Sequence, residues 1–182
     1  MFVEDIKIRD FVNNYYVRVW ISKVVIRKTS QEAEIIIFTS KPALVLWKDA
    51  KILKTCEEKL QAKFWKKFKL VVKEVRVPEL SAKIMSEYFA SQVEWRTPYR
   101  RVAKQMLERI MEKWALWIKI QIGWRLNWAD ISRAEKFSKW RIPLQTLRAD
   151  IDYHHTIAMT KYWVLWIKVR ICKWEVFGKN MG

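Results

Sequence analysis

Ile8, Phe11, Val12 and Tyr15 stand at i, i+3, i+4 and i+7 in a polar setting, which is the spacing of one helical face. They predict a helix over about Glu4–Arg18. Two runs rich in β-branched residues follow, Ile21–Lys28 and Glu32–Thr39, with only Thr29-Ser30-Gln31 between them. They predict a β-hairpin. Pro42 then opens a helical stretch that runs to about Lys63. From Lys66 to Val75 the pattern alternates, with Phe68, Leu70 and Val72 on one side and Lys67, Lys69 and Lys73 on the other. That is a half-buried strand. The first half therefore has the order α-β-β-α-(α)-β.

Val77-Pro78 is the natural boundary, because proline drives its predecessor out of helical geometry and starts the next helix well. Ser81–Val93 is helical, with Met85/Phe89 and Ile84/Tyr88 as i, i+4 pairs. Thr97-Pro98 predicts a second helix, Thr97 capping and Pro98 in the first helical position, ending near Lys113. Trp117–Trp124, Ala129–Phe137, about Ile151–Thr160 and Tyr162–Lys173 predict strands. The fold class is α+β. Residues 1–76 form one domain, and 77–182 a second in which two helices pack on a mainly antiparallel sheet. The chain shows no internal repeat, low-complexity segment or long linker.

Charge sharpens this picture. The 182 residues hold 36 Lys+Arg against 19 Asp+Glu, a formal net charge of +17, while 51% hydrophobic content is ample for a core. Such an excess suits a polyanion, since every cation set against a phosphate releases condensed counterions. The opening MFVEDIKIRD lacks the apolar core of a signal peptide. No uninterrupted apolar stretch nears the roughly 20 residues that span a bilayer. The most apolar run, Tyr162–Ile167, is stopped by Lys168 and Arg170. Cys56 and Cys172, far apart and in no metal-ligand spacing, read as buried thiols in a reducing cytosol.

The first half has the element order of a type II KH domain, which clamps single-stranded nucleic acid with a GXXG loop between two helices. The loop position reads Trp47-Lys48-Asp49-Ala50, with both glycines missing. In the second half Arg100, Arg101 and Lys104 open a helix at i, i+1 and i+4, with Arg96 just before, and form a candidate phosphate-contacting patch. His154 and His155 are strand neighbours that point to opposite faces and cannot share a metal. Asp150 and Asp152 share a face if extended, as a nuclease's metal pair would, but no third ligand stands at useful spacing. No Ser/His/Asp, Cys/His or P-loop pattern is present, and no cofactor or small-molecule substrate is implied.

Several runs together resemble one family, the universal small-subunit ribosomal protein S-three. They are Glu4-Asp5-Ile6-Lys7-Ile8-Arg9, Ile21-Ser22-Lys23, Lys73-Glu74-Val75, Pro78-Glu79-Leu80, Tyr99-Arg100-Arg101 with Lys104, and above all Pro143-Leu144-Gln145-Thr146-Leu147-Arg148-Ala149-Asp150-Ile151-Asp152-Tyr153. The resemblance implies a type II KH domain followed by a family-specific α+β domain. It also implies cytoplasmic ribosomal localisation, binding to small-subunit ribosomal RNA, contacts with neighbouring head proteins, and a place on the channel through which messenger RNA enters. The family's basic residues matching Arg100, Arg101 and Lys104 line that channel. The resemblance also puts Arg125, between Trp124 and Trp128, and Arg148, in the last of these runs, among the RNA-binding candidates. Family members carry a further N-terminal segment that this sequence lacks.

The tryptophans depart from that pattern. The chain has 12 Trp and only 3 Gly. Laid on the family, Trp20, Trp47, Trp65, Trp95, Trp114, Trp117, Trp124, Trp128, Trp140, Trp163, Trp166 and Trp174 fall where glycine is expected. A bulky residue forced into left-handed geometry is strained by about 1–2 kcal/mol, and overpacking costs typically 1–3 kcal/mol a site. Against a total stability of about 5–15 kcal/mol, twelve such sites do not coexist. The pattern is that of a gene in which UGA encodes glycine, written with the tryptophan assignment. Genuine tryptophans would instead suit base stacking in a single-stranded nucleic-acid binder, or an interfacial membrane binder with Lys and Trp on separate helical faces.

Overall fold

The computed structural model describes residues 2–16, 19–28, 32–45, 51–64, 67–125, 130–140, 147–161 and 164–176. The chain divides into two compact units, Met1–Pro78 and Glu79–Gly182.

The first unit runs α1 (Phe2–Tyr15), β1 (Ile21–Lys28), β2 (Glu32–Thr39), α2 (Pro42–Val45), α3 (Lys51–Phe64) and β3 (Lys67–Glu74). The sheet order is β1-β2-β3, with β1 antiparallel and β3 parallel to the central β2. Ile8 and Val12 from α1, Leu53, Cys56 and Leu60 from α3, and Ile35, Ile37, Phe68 and Leu70 from the sheet make one buried cluster. Thr39 seats the hairpin: its hydroxyl donates to the Val19 carbonyl at 2.8 Å. The helical stretch expected from Pro42 to about Lys63, written α-(α) in the predicted order, holds α2 and α3, and residues 46–50 lie outside the described residues.

In the second unit a 3-10 turn (Pro78–Leu80) leads to α4 (Ala82–Glu94), α5 (Tyr99–Glu112), β4 (Trp117–Trp124), β5 (Arg133–Lys139), β6 (Ala149–Met159) and β7 (Val164–Glu175). The strands form one antiparallel sheet in the order β5-β4-β7-β6. Both helices lie on one face. There Ile118, Ile120 and Ile122 of β4 and Ile167, Val169 and Ile171 of β7 are fully buried with Phe89, Met106 and Ile110. β5 begins at Arg133, which pairs with Trp124, the last residue of β4; the described residues 130–132 lie outside the strand, and the expected start at Ala129 lies outside the described residues.

Both helix ends follow recognisable rules. α4 closes in a Schellman motif: Arg96 N–H donates to the Val93 carbonyl at 3.0 Å and Thr97 N–H to the Gln92 carbonyl at 3.1 Å, with Arg96 at φ 62°. The start of α4 is served from across the sheet, where Asp152 Oδ2 accepts from the Ala82 N–H at 3.0 Å. α5 begins one residue later than expected. Pro98, not Thr97, is its N-cap; the Thr97 hydroxyl makes no cap bond, and the Pro98 carbonyl accepts from Arg101 and Val102.

Candidate nucleic-acid interface

α5 carries the strongest candidate. Tyr99, Val102, Ala103, Met106, Leu107 and Ile110 form its buried stripe. That periodicity turns Arg100, Arg101 and Lys104 outward, and all three are exposed. The first turn holds no acidic residue. Cations beside the positive end of a helix dipole weaken the fold slightly and raise the local potential, which favours a bound phosphate.

The three cations are not equivalent. Glu135 of β5 holds Arg100 through two contacts, Nη2 to Oε1 at 2.8 Å and Nε to Oε2 at 3.2 Å. Tyr99 completes the arrangement: its hydroxyl donates to Glu135 Oε1 at 3.0 Å and accepts from Arg100 Nε at 3.1 Å. The hydrogen bond from Arg100, the largest influence, holds the Glu135 carboxyl below the usual range against the opposing effect of burial, with a smaller contribution from Tyr99. Burial, then the bond to Glu135, pushes the Tyr99 phenol up. Arg100 is thus oriented and its charge partly offset. Arg101 and Lys104 make no ion pair among the described residues, so their charge is fully available.

The other candidates fare differently. Arg96 is exposed in the turn delivering the chain into α5, and Arg125 is exposed just after β4. Arg148 is engaged within the chain: its Nε lies 2.9 Å from Glu175 Oε2 and its carbonyl accepts from Val176 N–H at 2.7 Å. Trp47, Lys48, Asp49 and Ala50 lie outside the described residues. Glu135 was missed by the sequence reading. The only signal for it was the alternation in β5, which sets it on the helix side with Phe137.

The nuclease reading finds a structural occupation instead. Asp152 accepts from Ala82 N–H and lies 3.5 Å from Lys173 Nζ. A register irregularity between Ala149 and Ile151 interrupts the alternation that would pair it with Asp150. His154 faces α4, where burial and then the Lys83 charge lower its pKa, while His155 lies exposed on the opposite face. Both cysteines are buried and free, and burial raises both thiols.

Among the described residues with positive φ that are not glycine, three are tryptophans: Trp20 at 52°, Trp114 at 64° and Trp140 at 69°. Trp114 occupies the position after the cap of α5, where glycine is the usual helix stop. It is 91% exposed, and Trp95 and Trp140 are 84% and 70% exposed. The buried Trp117 leaves its indole N–H with no hydrogen-bond partner among the described residues. These tryptophans sit in turns or within the sheet, so no described helix presents the Trp stripe that the membrane reading requires. Among the described residues no helix is long and apolar enough to cross a membrane.

Residues 89–171 match the family model described as Ribosomal protein S3, C-terminal domain. The chain is 40% identical to the small ribosomal subunit protein uS3 of Bacteroides thetaiotaomicron, over 98% of this chain and 73% of that protein. It is 38% identical to that of Parabacteroides distasonis, with the same coverage, and 35% identical to that of Cereibacter sphaeroides, over 97% of this chain and 74% of that protein. With relatives so similar over nearly its whole length, the chain belongs to the uS3 family, whose members are structural rather than enzymatic proteins of the small ribosomal subunit.

Proposed function

We propose that the chain is a structural constituent of the small-subunit head in the cytoplasmic ribosome. In this reading it binds small-subunit ribosomal RNA, touches neighbouring head proteins, and lines the channel through which messenger RNA enters. The observation that carries the reading is the exposed cationic turn of α5: Arg101 and Lys104 without an ion pair among the described residues, Arg100 held by Glu135, and no acidic residue in that turn. A positive helix end with bare cations and no pocket chemistry suits a phosphate backbone better than a small substrate. Arg96 and Arg125 extend the basic surface. Arg148 serves the fold first, through Glu175.

The first unit is a type II KH domain in this reading. The order α1-β1-β2-α2-α3-β3, with β3 parallel to the central β2, supports it. Residues 47–50 would be its nucleic-acid loop. Residues 77–182 are the family's α+β domain.

The test is the salt dependence of binding to small-subunit ribosomal RNA. Each lost phosphate contact lowers the slope of log K against log salt by about 0.7–0.9. Replacing Arg101 and Lys104 by glutamine lowers it by about 1.4–1.8 in this reading, and an unchanged slope removes α5 from the interface.

A further inference from the structure

The four-stranded sheet has a second face, away from the helices, that is buried toward one end at Trp117 and Cys172 and exposed at Tyr153, His155 and Lys136. Alternation that sends Ile118, Ile120, Ile167 and Val169 toward the helices sends Lys119, Lys168 and Arg170 the other way. The register assembles these into a compact array. Lys119 of β4 stands opposite Arg170 of β7, and Arg170 opposite Tyr153 of β6. One step along β7, Lys168 stands opposite His155. Lys136 on the edge strand β5 faces the same side and is exposed.

This half of the face contains no carboxylate. Its intervening residues, Gln121 and Ser138, are neutral, while Glu135 and Asp152 both point to the helix side. None of the four Lys and Arg makes an ion pair among the described residues. Arg170 settles over the Tyr153 ring, 5.5 Å from its centroid. Like charges directly opposite on neighbouring strands weaken a sheet, and Lys119 against Arg170 is such a pair. A cationic array that weakens its own sheet and lacks an internal counter-charge is accounted for by an external polyanion. Across four strands about 4.8 Å apart it spans roughly 14 Å, enough for several phosphates. Lys168 lies over the Trp166 ring, 5.0 Å from its centroid, so its own placement leans on that tryptophan, while the rest of the array is set by register.

We propose that this half of the open sheet face is a second RNA interface, with a phosphate backbone crossing β5, β4, β7 and β6 and Tyr153 offering its half-exposed ring to an unpaired base. It rests on the RNA-binding reading above and is separable from it, because α5 lies on the other face of the sheet.

The experiment compares two variants of the full chain on in-vitro-transcribed small-subunit ribosomal RNA. One carries Lys119→Gln, Lys168→Gln and Arg170→Gln; the other carries Arg101→Gln and Lys104→Gln. Circular dichroism confirms folding, and acetylation of the lysines in the unsubstituted chain, with and without RNA, needs no variant. The expected results are a slope lowered by about 2–3 for the sheet variant, and RNA protection of Lys119 and Lys168. If the α5 variant loses slope while the sheet variant keeps it and both lysines acetylate equally, the second interface is refuted and the first stands. The same holds if the sheet variant loses only binding to other head proteins. If the unsubstituted chain shows no salt-dependent RNA binding, the reading on which both rest fails.

Discussion

The indole of Trp166 on β7 lies over Gly123, its registered partner on β4, in the space that a Cβ at residue 123 would occupy. Both residues are on the sheet face away from the helices. The ring therefore exists there only because its neighbour has no side chain.

Gly123→Ala forces that ring aside and is expected to destabilise the chain by about 1–3 kcal/mol, the usual range for overpacking. In a Trp166→Gly background the three atoms nearest that Cβ are gone, and the same substitution is expected to cost much less. Urea melts of the four proteins form a double-mutant cycle. Coupling near zero would show that the ring does not pack on residue 123.

Trp114 and Trp140 give a cleaner test of the glycine pattern. Both have φ near 65°, at 64° and 69°, and both are mostly exposed, so replacing them removes little burial. Glycine at each is expected to raise stability by about 1 kcal/mol, whereas alanine, which keeps a Cβ, relieves none of the backbone strain. Trp20 is a weaker case because its ring lies under Lys41, 4.3 Å from the ammonium, and some contact is lost with the strain. In the natural protein, peptides spanning residues 114 and 140 are expected to show glycine masses encoded by UGA. Tryptophan masses encoded by UGG would overturn the recoding.

Glu135 tempers the α5 patch. Glu135→Gln removes a negative charge beside Arg100 while keeping a hydrogen-bond acceptor for Tyr99. RNA affinity at low salt is expected to rise and its salt dependence to steepen by up to about one phosphate contact. Because the folded carboxyl titrates below its ordinary value, the stability it contributes is present above that value and lost as pH falls through the folded pKa. Acid titration of wild type against Glu135→Gln checks both: the variant should lose less stability on acidification. Weaker RNA binding by the variant would mean that Glu135 chiefly positions Arg100.

Much of this was legible in the residues, for physical reasons. Ile21–Lys28, Glu32–Thr39 and Trp117–Trp124 are strands at the predicted bounds, because β-branched content and period-two burial act locally. The stripe of α5 likewise set its outward cations. What stayed hidden depends on pairing. That Glu135 meets Arg100, that Asp152 receives the first N–H of α4, and that Lys119 stands opposite Arg170 all follow from register, and register is a property of two segments at once. Thr97 failed as a cap for a smaller reason: proline at residue 98 took the cap position itself.

Glu87 supplies a last prediction, on pH. Burial raises its carboxyl from 4.5 to about 6, against the opposing pull of Lys83 one turn earlier on α4. The folded state then binds more protons than the unfolded one between those values. The stabilisation from protonated Glu87 is complete below 4.5 and is lost as pH rises through about 6. His154, facing α4 from β6, acts oppositely: burial and the Lys83 charge lower its pKa, so its contribution is lost as pH falls. The two partly cancel in the wild type, and only a difference isolates Glu87. Relative to wild type, Glu87→Gln is expected to gain about 1 kcal/mol between pH 4.5 and pH 7, allowing for partial solvent screening. Urea midpoints across that range measure it, and a pH-independent difference would mean that the Glu87 carboxyl is solvated rather than buried.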